Sequence, residues 1–193
     1  RPWVEAGVTS INGNGSWDTS QALLPLVTTS LLCLQEHGVL DHRVAEVSGK
    51  LVKAGWKSVW LPARATEAGG RSAGVAILAK SFVDLGADDG VSKQVVPHRL
   101  LATAVGLKGI GKLILYCAYG VVSEGMGDSN RSMLVELLSH SQAHGLPWLA
   151  LGDWNNPPEV LCGLSAICSW AVACRSSPPR GIRASLRRAG PPL

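Results

Sequence analysis

A few short runs with almost no polar residue constrain this chain most. They are Leu31-Leu32-Cys33-Leu34, Ala73-Gly74-Val75-Ala76-Ile77-Leu78 and Pro147-Trp148-Leu149-Ala150-Leu151. Short apolar runs bounded by polar or turn residues read as strands buried on both faces. Such strands cannot lie at a surface, so helices or a second sheet must cover them. Two of the runs stop at a carboxylate: Glu36 follows the first and Asp153 follows the last.

The rest of the chain supplies the cover. Residues 8–11 form a β-rich run that ends in the turn word Asn12-Gly13-Asn14-Gly15. Residues 18–29 read as a helix with Asp18 near its cap, made short or irregular by Pro25. Leu40, Val44, Val47 and Leu51 recur at helical spacing, and Gly55 closes that helix. A strand over 56–61 stops at Pro62, and 63–72 is a polar, Gly-rich loop. Strands over 100–107 and 113–119 flank a hairpin signal at 108–112. Asp128 or Ser129 caps a helix with an apolar face of Met133, Leu134, Leu137 and Leu138, ending at Gly145. Asn156-Pro157 reads as a further cap with Pro at the first helical position. There is no internal repeat. This order predicts a mixed sheet, or two sheets, covered by helices.

Composition fits one domain. Of 193 residues, 46% are hydrophobic and 17% charged, enough to bury a core and too apolar for a disordered chain. The net charge of +4 suggests a nucleic-acid binder until its arginines are located. Arg175, Arg180, Arg183, Arg187 and Arg188 follow Cys174 with no acidic residue among them. Residues 1–174 therefore carry −1, and the pI says nothing about their surface. Five cysteines without a C-x-x-C pair argue against a disulfide scaffold or a zinc site, and fit a reducing compartment. Cys33 and Cys117 lie in apolar runs, where a thiol behaves as a small hydrophobe. The longest uncharged apolar stretch, 160–174, is shorter than the ~20 residues of a membrane span, so no membrane partner is expected. No signal peptide opens the chain. Its first residue is Arg1, which suggests a piece of a longer product.

If the strands that end at Glu36 and Asp153 lie close together, both carboxylates emerge at one rim. Mg2+ suits such a rim, because it takes a few carboxylate oxygens, keeps several waters and completes its shell with phosphate. Asn12 and Tyr119 also end strands and could share that rim. Taken singly, each has a plainer reading. Glu36 and Asn12 can be solvated strand ends, Asp153 an Asx turn, and Tyr119 a packed aromatic with a wet hydroxyl.

Taken in order, the words are more specific. Ser10-Ile11-Asn12-Gly13-Asn14-Gly15, Leu34-Gln35-Glu36, Ala73-Gly74-Val75-Ala76-Ile77-Leu78, Tyr119 and Gly152-Asp153-Trp154-Asn155 resemble the ordered motifs of the endonuclease/exonuclease/phosphatase superfamily. That group includes deoxyribonuclease I, apurinic/apyrimidinic endonucleases and the endonuclease domains of LINE-type retrotransposons. The resemblance covers residues 8 to about 161. The loop at 69–72 and the segment 119–131 look most like the retroelement type. The resemblance implies an α/β fold: a four-layered α/β sandwich, two packed mixed β-sheets flanked by helices, incomplete at the C-terminus. It implies phosphodiester hydrolysis with Mg2+ or Mn2+, held by Glu36 and Asn12. Asp153 then positions or deprotonates the attacking water, and Asn155 and Tyr119 contact the scissile phosphate. DNA is the partner this implies, with RNA or a phosphorylated small molecule as alternatives. A retroelement endonuclease would be intracellular and nuclear. A phosphatase or deadenylase of the same fold, and a non-catalytic remnant, are the competing functions.

The chain departs from that pattern in places. Asn14 stands where some members carry an Asp, and Gly120-Val121-Val122 replaces a Pro-Asn pair after the Tyr. The family's terminal Ser-Asp-His word has no counterpart, since no His follows His144 and no Asp follows Asp153. The expectation is an incomplete domain over 1–161 and an aberrant or disordered Arg/Pro-rich tail over 162–193, read from another frame or an intron. Lost strands would expose an apolar sheet edge. A genuine basic tail would add phosphate contacts.

Overall fold

A computed structural model describes residues 6–86, 90–108, 111–156, 172–173 and 182–186. In chain order these form β1 (Ala6–Asn12), α1 (Trp17–Leu23), β2 (Leu31–Gln35), α2 (Asp41–Lys53), β3 (Trp56–Leu61), β4 (Arg64–Ala65), β5 (Arg71–Ser72) and β6 (Val75–Lys80). β7 (Asp84–Leu85), β8 (Lys93–Val96), β9 (Leu100–Leu107), β10 (Gly111–Tyr119), α3 (Asp128–His144), β11 (Trp148–Asp153), β12 (Val172–Ala173) and β13 (Ile182–Leu186) follow.

β2 has no polar alternation because both of its faces are covered. Leu31 and Cys33 point to one core, shared with Leu101, Leu115, Cys117, Leu149 and Leu151 of the facing sheet. Leu32 and Leu34 point the other way, into a core with Trp17, Val47, Leu51 and Trp56 beneath α1 and α2. The same division holds in the second sheet. Leu115 and Cys117 face inward, while Ile114, Tyr116 and Ala118 pack on Met133, Leu134 and Leu137 of α3. The layers therefore run helices, sheet, sheet, helix, the four-layered sandwich that the motifs imply.

The first sheet has the order β13-β1-β2-β6-β3, and the second runs β12-β11-β10-β9-β7 with β8 also on β9. Both are mixed. β1 and β2 are parallel and β2 and β6 antiparallel; β10 and β11 are parallel and β9 and β10 antiparallel. The parallel pairs β1–β2 and β10–β11 end together at Asn12↔Gln35 and Tyr119↔Asp153. This brings polar strand ends to one rim.

Several local expectations need correcting. α1 starts one residue before Asp18, because Ser16 is the cap and its hydroxyl accepts from the Thr19 N–H. It ends at Leu23, and Pro25 sits in a 3-10 turn over Leu24–Leu26. Proline lacks the N–H that would continue the α-ladder. The third helix has Gly127 as its cap residue rather than Asp128 or Ser129, which lie inside its first turn. The loop at 63–72 contains the small hairpin β4–β5. Within the segment read as a disordered tail, β12 pairs with β11 and β13 pairs antiparallel with β1 from Ala6↔Leu186 to Ser10↔Ile182. Pro157, Cys162, Cys168 and Cys174 lie outside the described residues. Among the described residues, no helix is long and apolar enough to cross a membrane.

Candidate active site at the shared rim

The rim is built from backbone first. Gly13 and Gly15 donate their N–H groups to the carbonyls of Gln35 and Glu36, each at 2.7 Å, so the loop after β1 clips the end of β2. Glu36 itself has φ 48°, a left-handed conformation uncommon for a residue with a side chain. The next residues hold it there. His37 is fully buried, and its Nδ1 accepts from the Val39 N–H at 3.0 Å. The proton is therefore on Nε2, which donates to the Leu61 carbonyl at 3.2 Å. Burial pulls the His37 pKa down to about 4, so the ring is neutral. At Gly38, φ 64°, a side chain would run into the Gly15 carbonyl. Backbone strain of this kind, over-determined by its surroundings, is common at functional sites.

Asp153 is fixed by two donors. Asn12 Nδ2 donates to its Oδ2 at 2.8 Å, and the Asn155 N–H donates to its Oδ1 at 3.0 Å. The first bond joins one sheet to the other. Asn12 Oδ1 accepts from the Asn14 N–H at 2.8 Å, which sets the amide's orientation. Asn155, at φ 50°, turns its Nδ2 onto the Gly120 carbonyl at 2.8 Å.

Tyr119 ends β10 beside these groups and is 3% exposed. Burial raises its hydroxyl pKa first. A hydrogen bond to Glu36 and the charges of Glu36 and Asp153 raise it further, and Arg99 opposes them. The phenol thus remains a donor at neutral pH, with both carboxylates as neighbours. The structure brings Asn12, Glu36, Tyr119, Asp153 and Asn155 to one place.

Sequence reasoning missed the groups that support them. Arg99 lies just before β9; its Nη1 donates to the carbonyls of Tyr119 and Gly120 at 3.3 and 3.1 Å, and its guanidinium sits 5.3 Å from the Tyr119 ring centre. Asn130 is buried in α3 and holds the loop after Tyr119. Its Oδ1 accepts from the Val121 N–H, and its Nδ2 donates to the carbonyls of Val121 and Gly125. Asn156, expected as a helix cap, is buried and donates to the Gly125 and Trp154 carbonyls instead. An Arg before a strand and an Asn inside a helix carry no local signal of such roles.

The donor set has the chemistry of a hard-cation site: the Glu36 and Asp153 carboxylates and the Asn12 amide oxygen, all at strand ends. Among the described residues no group of three or more His, Cys, Asp or Glu gathers. A pair of carboxylates with an amide oxygen suits Mg2+ or Mn2+, which leave positions for water and phosphate.

No family model matches the chain, and no curated protein does. Its structure is similar to solved ones. The 3′ phosphatase NExo from Neisseria, bound to a product DNA hairpin, superposes with a TM-score of 0.50 and 20% identity over 78% of this chain and 58% of that one. TDP2 from Caenorhabditis elegans gives 0.51 and 18% identity over 81% and 49%. An endonuclease/exonuclease/phosphatase from Beutenbergia cavernae DSM 12333 gives 0.53 and 14% identity over 78% and 47%. The chain thus spans about half the length of the structures it matches. It has the endonuclease/exonuclease/phosphatase fold.

Proposed function

We propose that this chain hydrolyses phosphodiesters at the shared rim with a divalent cation, and that its substrate is DNA of the kind cut by retroelement endonucleases. The observation that carries this reading is the placement of the Tyr119 hydroxyl against Glu36 beside an Asp153 tethered across the two sheets by Asn12. A solvated strand end has no need of such a tether.

Glu36, Asn12 and Asp153 would hold Mg2+ or Mn2+. When bound, such a cation supplies Lewis-acid stabilisation of the charge that builds on the phosphate oxygens. The residues do the rest. Asp153, with one bond to each oxygen, has lone pairs left to orient a water and take its proton. Tyr119 stays protonated and donates to a non-bridging oxygen. Asn155 would contact the same phosphate, and its backbone N–H keeps Asp153 aimed. The fold likeness supports this chemistry; NExo, which shares the fold, is a 3′ phosphatase seen bound to a product DNA hairpin.

One observation favours a second reading, binding without turnover. Residues 145–193 contain no His, so these residues bring no imidazole to the rim. A substrate panel with the purified chain separates the readings. Nicking of supercoiled plasmid that needs Mg2+ or Mn2+ supports a DNA endonuclease. Release of phosphate from a 3′-phosphorylated oligonucleotide, or shortening of poly(A), without nicking points to the phosphatase or deadenylase. Binding without loss of any phosphate ester establishes the remnant.

A further inference from the structure

We infer that the end of the first sheet opposite the rim binds a single strand of nucleic acid, with Phe82 stacked on a base and Lys53, Lys57 and Lys80 on the phosphates. This goes beyond the phosphodiesterase reading and does not depend on it, because it concerns binding alone.

Charge is unevenly spread over the body of the chain. Residues 1–174 carry −1 in sum, yet segments 24–30, 47–60 and 79–83 hold Lys50, Lys53, Lys57 and Lys80 and no Asp or Glu. The fold gathers these three segments at one end. β2 starts there at Leu31 and β3 at Trp56, and β6, antiparallel to both, ends there at Lys80. The Lys80 N–H donates to the Ser30 carbonyl at 2.9 Å, and the Ser81 N–H to the Gly55 carbonyl at 3.0 Å. The five residues of β2, about 17 Å of strand, separate this end from the rim. Of the acidic residues that flank the segments, Glu46 pairs with Arg43 and Lys50, and Asp84 lies in β7 of the second sheet.

The same end exposes apolar side chains. Phe82 is the one phenylalanine of the chain, and it is 79% exposed. Leu26 and Val52, in the other two segments, are exposed as well. A phenyl ring left in water among cations offers its π-face to a base. The cations beside it are held in place. Lys57 Nζ donates to the carbonyl of Val83, the residue after Phe82, at 2.9 Å. An ammonium has three donors, so two remain for phosphate. Lys80 Nζ sits 3.8 Å from the centre of the Trp56 ring, and Lys53 is exposed at the end of α2. Lysines without acidic neighbours complement a polyanion, and the stackable ring favours nucleic acid over an acidic protein segment. The strand must be single, since a duplex hides the faces of its bases.

The test is fluorescence anisotropy of the full chain with a labelled oligo(dT) of about 12 nucleotides, in EDTA so that nothing is cleaved. Wild type should bind the single strand more tightly than a duplex of the same length. Phe82→Ala should weaken binding about 10-fold, Phe82→Trp should restore it, and Phe82→Leu should behave like Phe82→Ala. Lys53→Gln and Lys57→Gln should each flatten the slope of log K against log salt by about 0.7. Arg43→Gln, at the other end of α2, controls for net charge and should match wild type. Thermal midpoints check the fold of each variant. Absence of binding by wild type overturns the inference. So does binding that survives Phe82→Ala and both lysine variants, which would place the strand elsewhere on the chain. Phe82→Leu equal to wild type makes this an apolar docking surface for protein and overturns it too. Retention on phosphatidylserine vesicles without oligonucleotide binding would assign the surface to a membrane instead. Plasmid nicking is read separately, so oligonucleotide binding without nicking contradicts the phosphodiesterase reading and leaves this one standing.

Discussion

Asn12 Nδ2 and Asp153 Oδ2 lie 2.8 Å apart, and this bond ties the end of β1 in one sheet to the end of β11 in the other. It therefore sets where the carboxylate stands relative to Glu36 and Tyr119. Replacing Asn12 with Ala removes the tether and leaves the charge. A misplacement near 1 Å at a reacting group costs about 100-fold in rate. The expected result for Asn12→Ala is a fall in kcat of that order with KM changed little, read from steady-state nicking. A fall in affinity alone would mean that Asn12 holds substrate.

On the proposed reading, Glu36 is placed for chemistry at some cost to stability. Its left-handed backbone costs about 1 kcal/mol for a residue with a side chain, and its carboxylate, like that of Asp153, acts on the Tyr119 hydroxyl. Asn tolerates this conformation better. Glu36→Asn should melt at the same temperature as wild type or a few degrees higher in the absence of metal, and should lose the hydrolytic activity. A large drop in the midpoint would assign Glu36 a structural role.

Asn130, itself buried, satisfies three backbone groups of the half-buried Val121 and Gly125 in the loop after Tyr119. Alanine would leave them without partners, and an unmet buried polar group costs about 1–3 kcal/mol. Asn130→Ala should lower the stability measured by denaturant unfolding by about 2–4 kcal/mol. A change below about 0.5 kcal/mol would show that water replaces the amide there.

The acid side of the stability profile is set in part by His140. It is buried against Tyr116, whose hydroxyl lies 2.7 Å from its Nδ1, and burial, followed by the charges of His144 and Lys93, lowers its pKa from 6.5 to about 4. Below pH 6.5 the unfolded chain takes up a proton here that the folded chain refuses. Stability is complete above that pH, falls as pH drops towards 4, and levels off once the folded form also protonates. Unfolding midpoints between pH 7 and 4 should fall less steeply for His140→Gln than for wild type. Parallel curves would contradict this.

Much of the site was legible because of what precedes it. Leu31 to Leu34 and Leu149 to Leu151 are buried on both faces, so Glu36 and Asp153 had to emerge where the strands stop. Register then does what sequence order cannot show: Tyr119↔Asp153 and Asn12↔Gln35 bring the strand ends level. Arg99 was hidden, since its role depends on β9 lying antiparallel to β10 with Leu100 opposite Ala118. Asn130 and Asn156 were hidden for a similar reason, because they bond to the same loop from two different elements. The helix start was read one residue late, at Asp18, because Ser and Asp both suit a helix start, and only the inclusion of Trp17 in the helix makes Ser16 the cap. β13 was illegible because Ile182 to Leu186 sits in Arg- and Pro-rich text, where composition argues against a strand.

The central claim is that one rim, built from both sheets, cuts phosphodiesters. Plasmid nicking with Mg2+ or Mn2+ by wild type, Glu36→Gln and Asp153→Asn tests it most directly, because each variant keeps side-chain shape and removes one charge. The predicted result is metal-dependent nicking by wild type that drops at least about 100-fold in both variants with their folds intact. Nicking that survives in both variants, or that needs no metal, would contradict the claim.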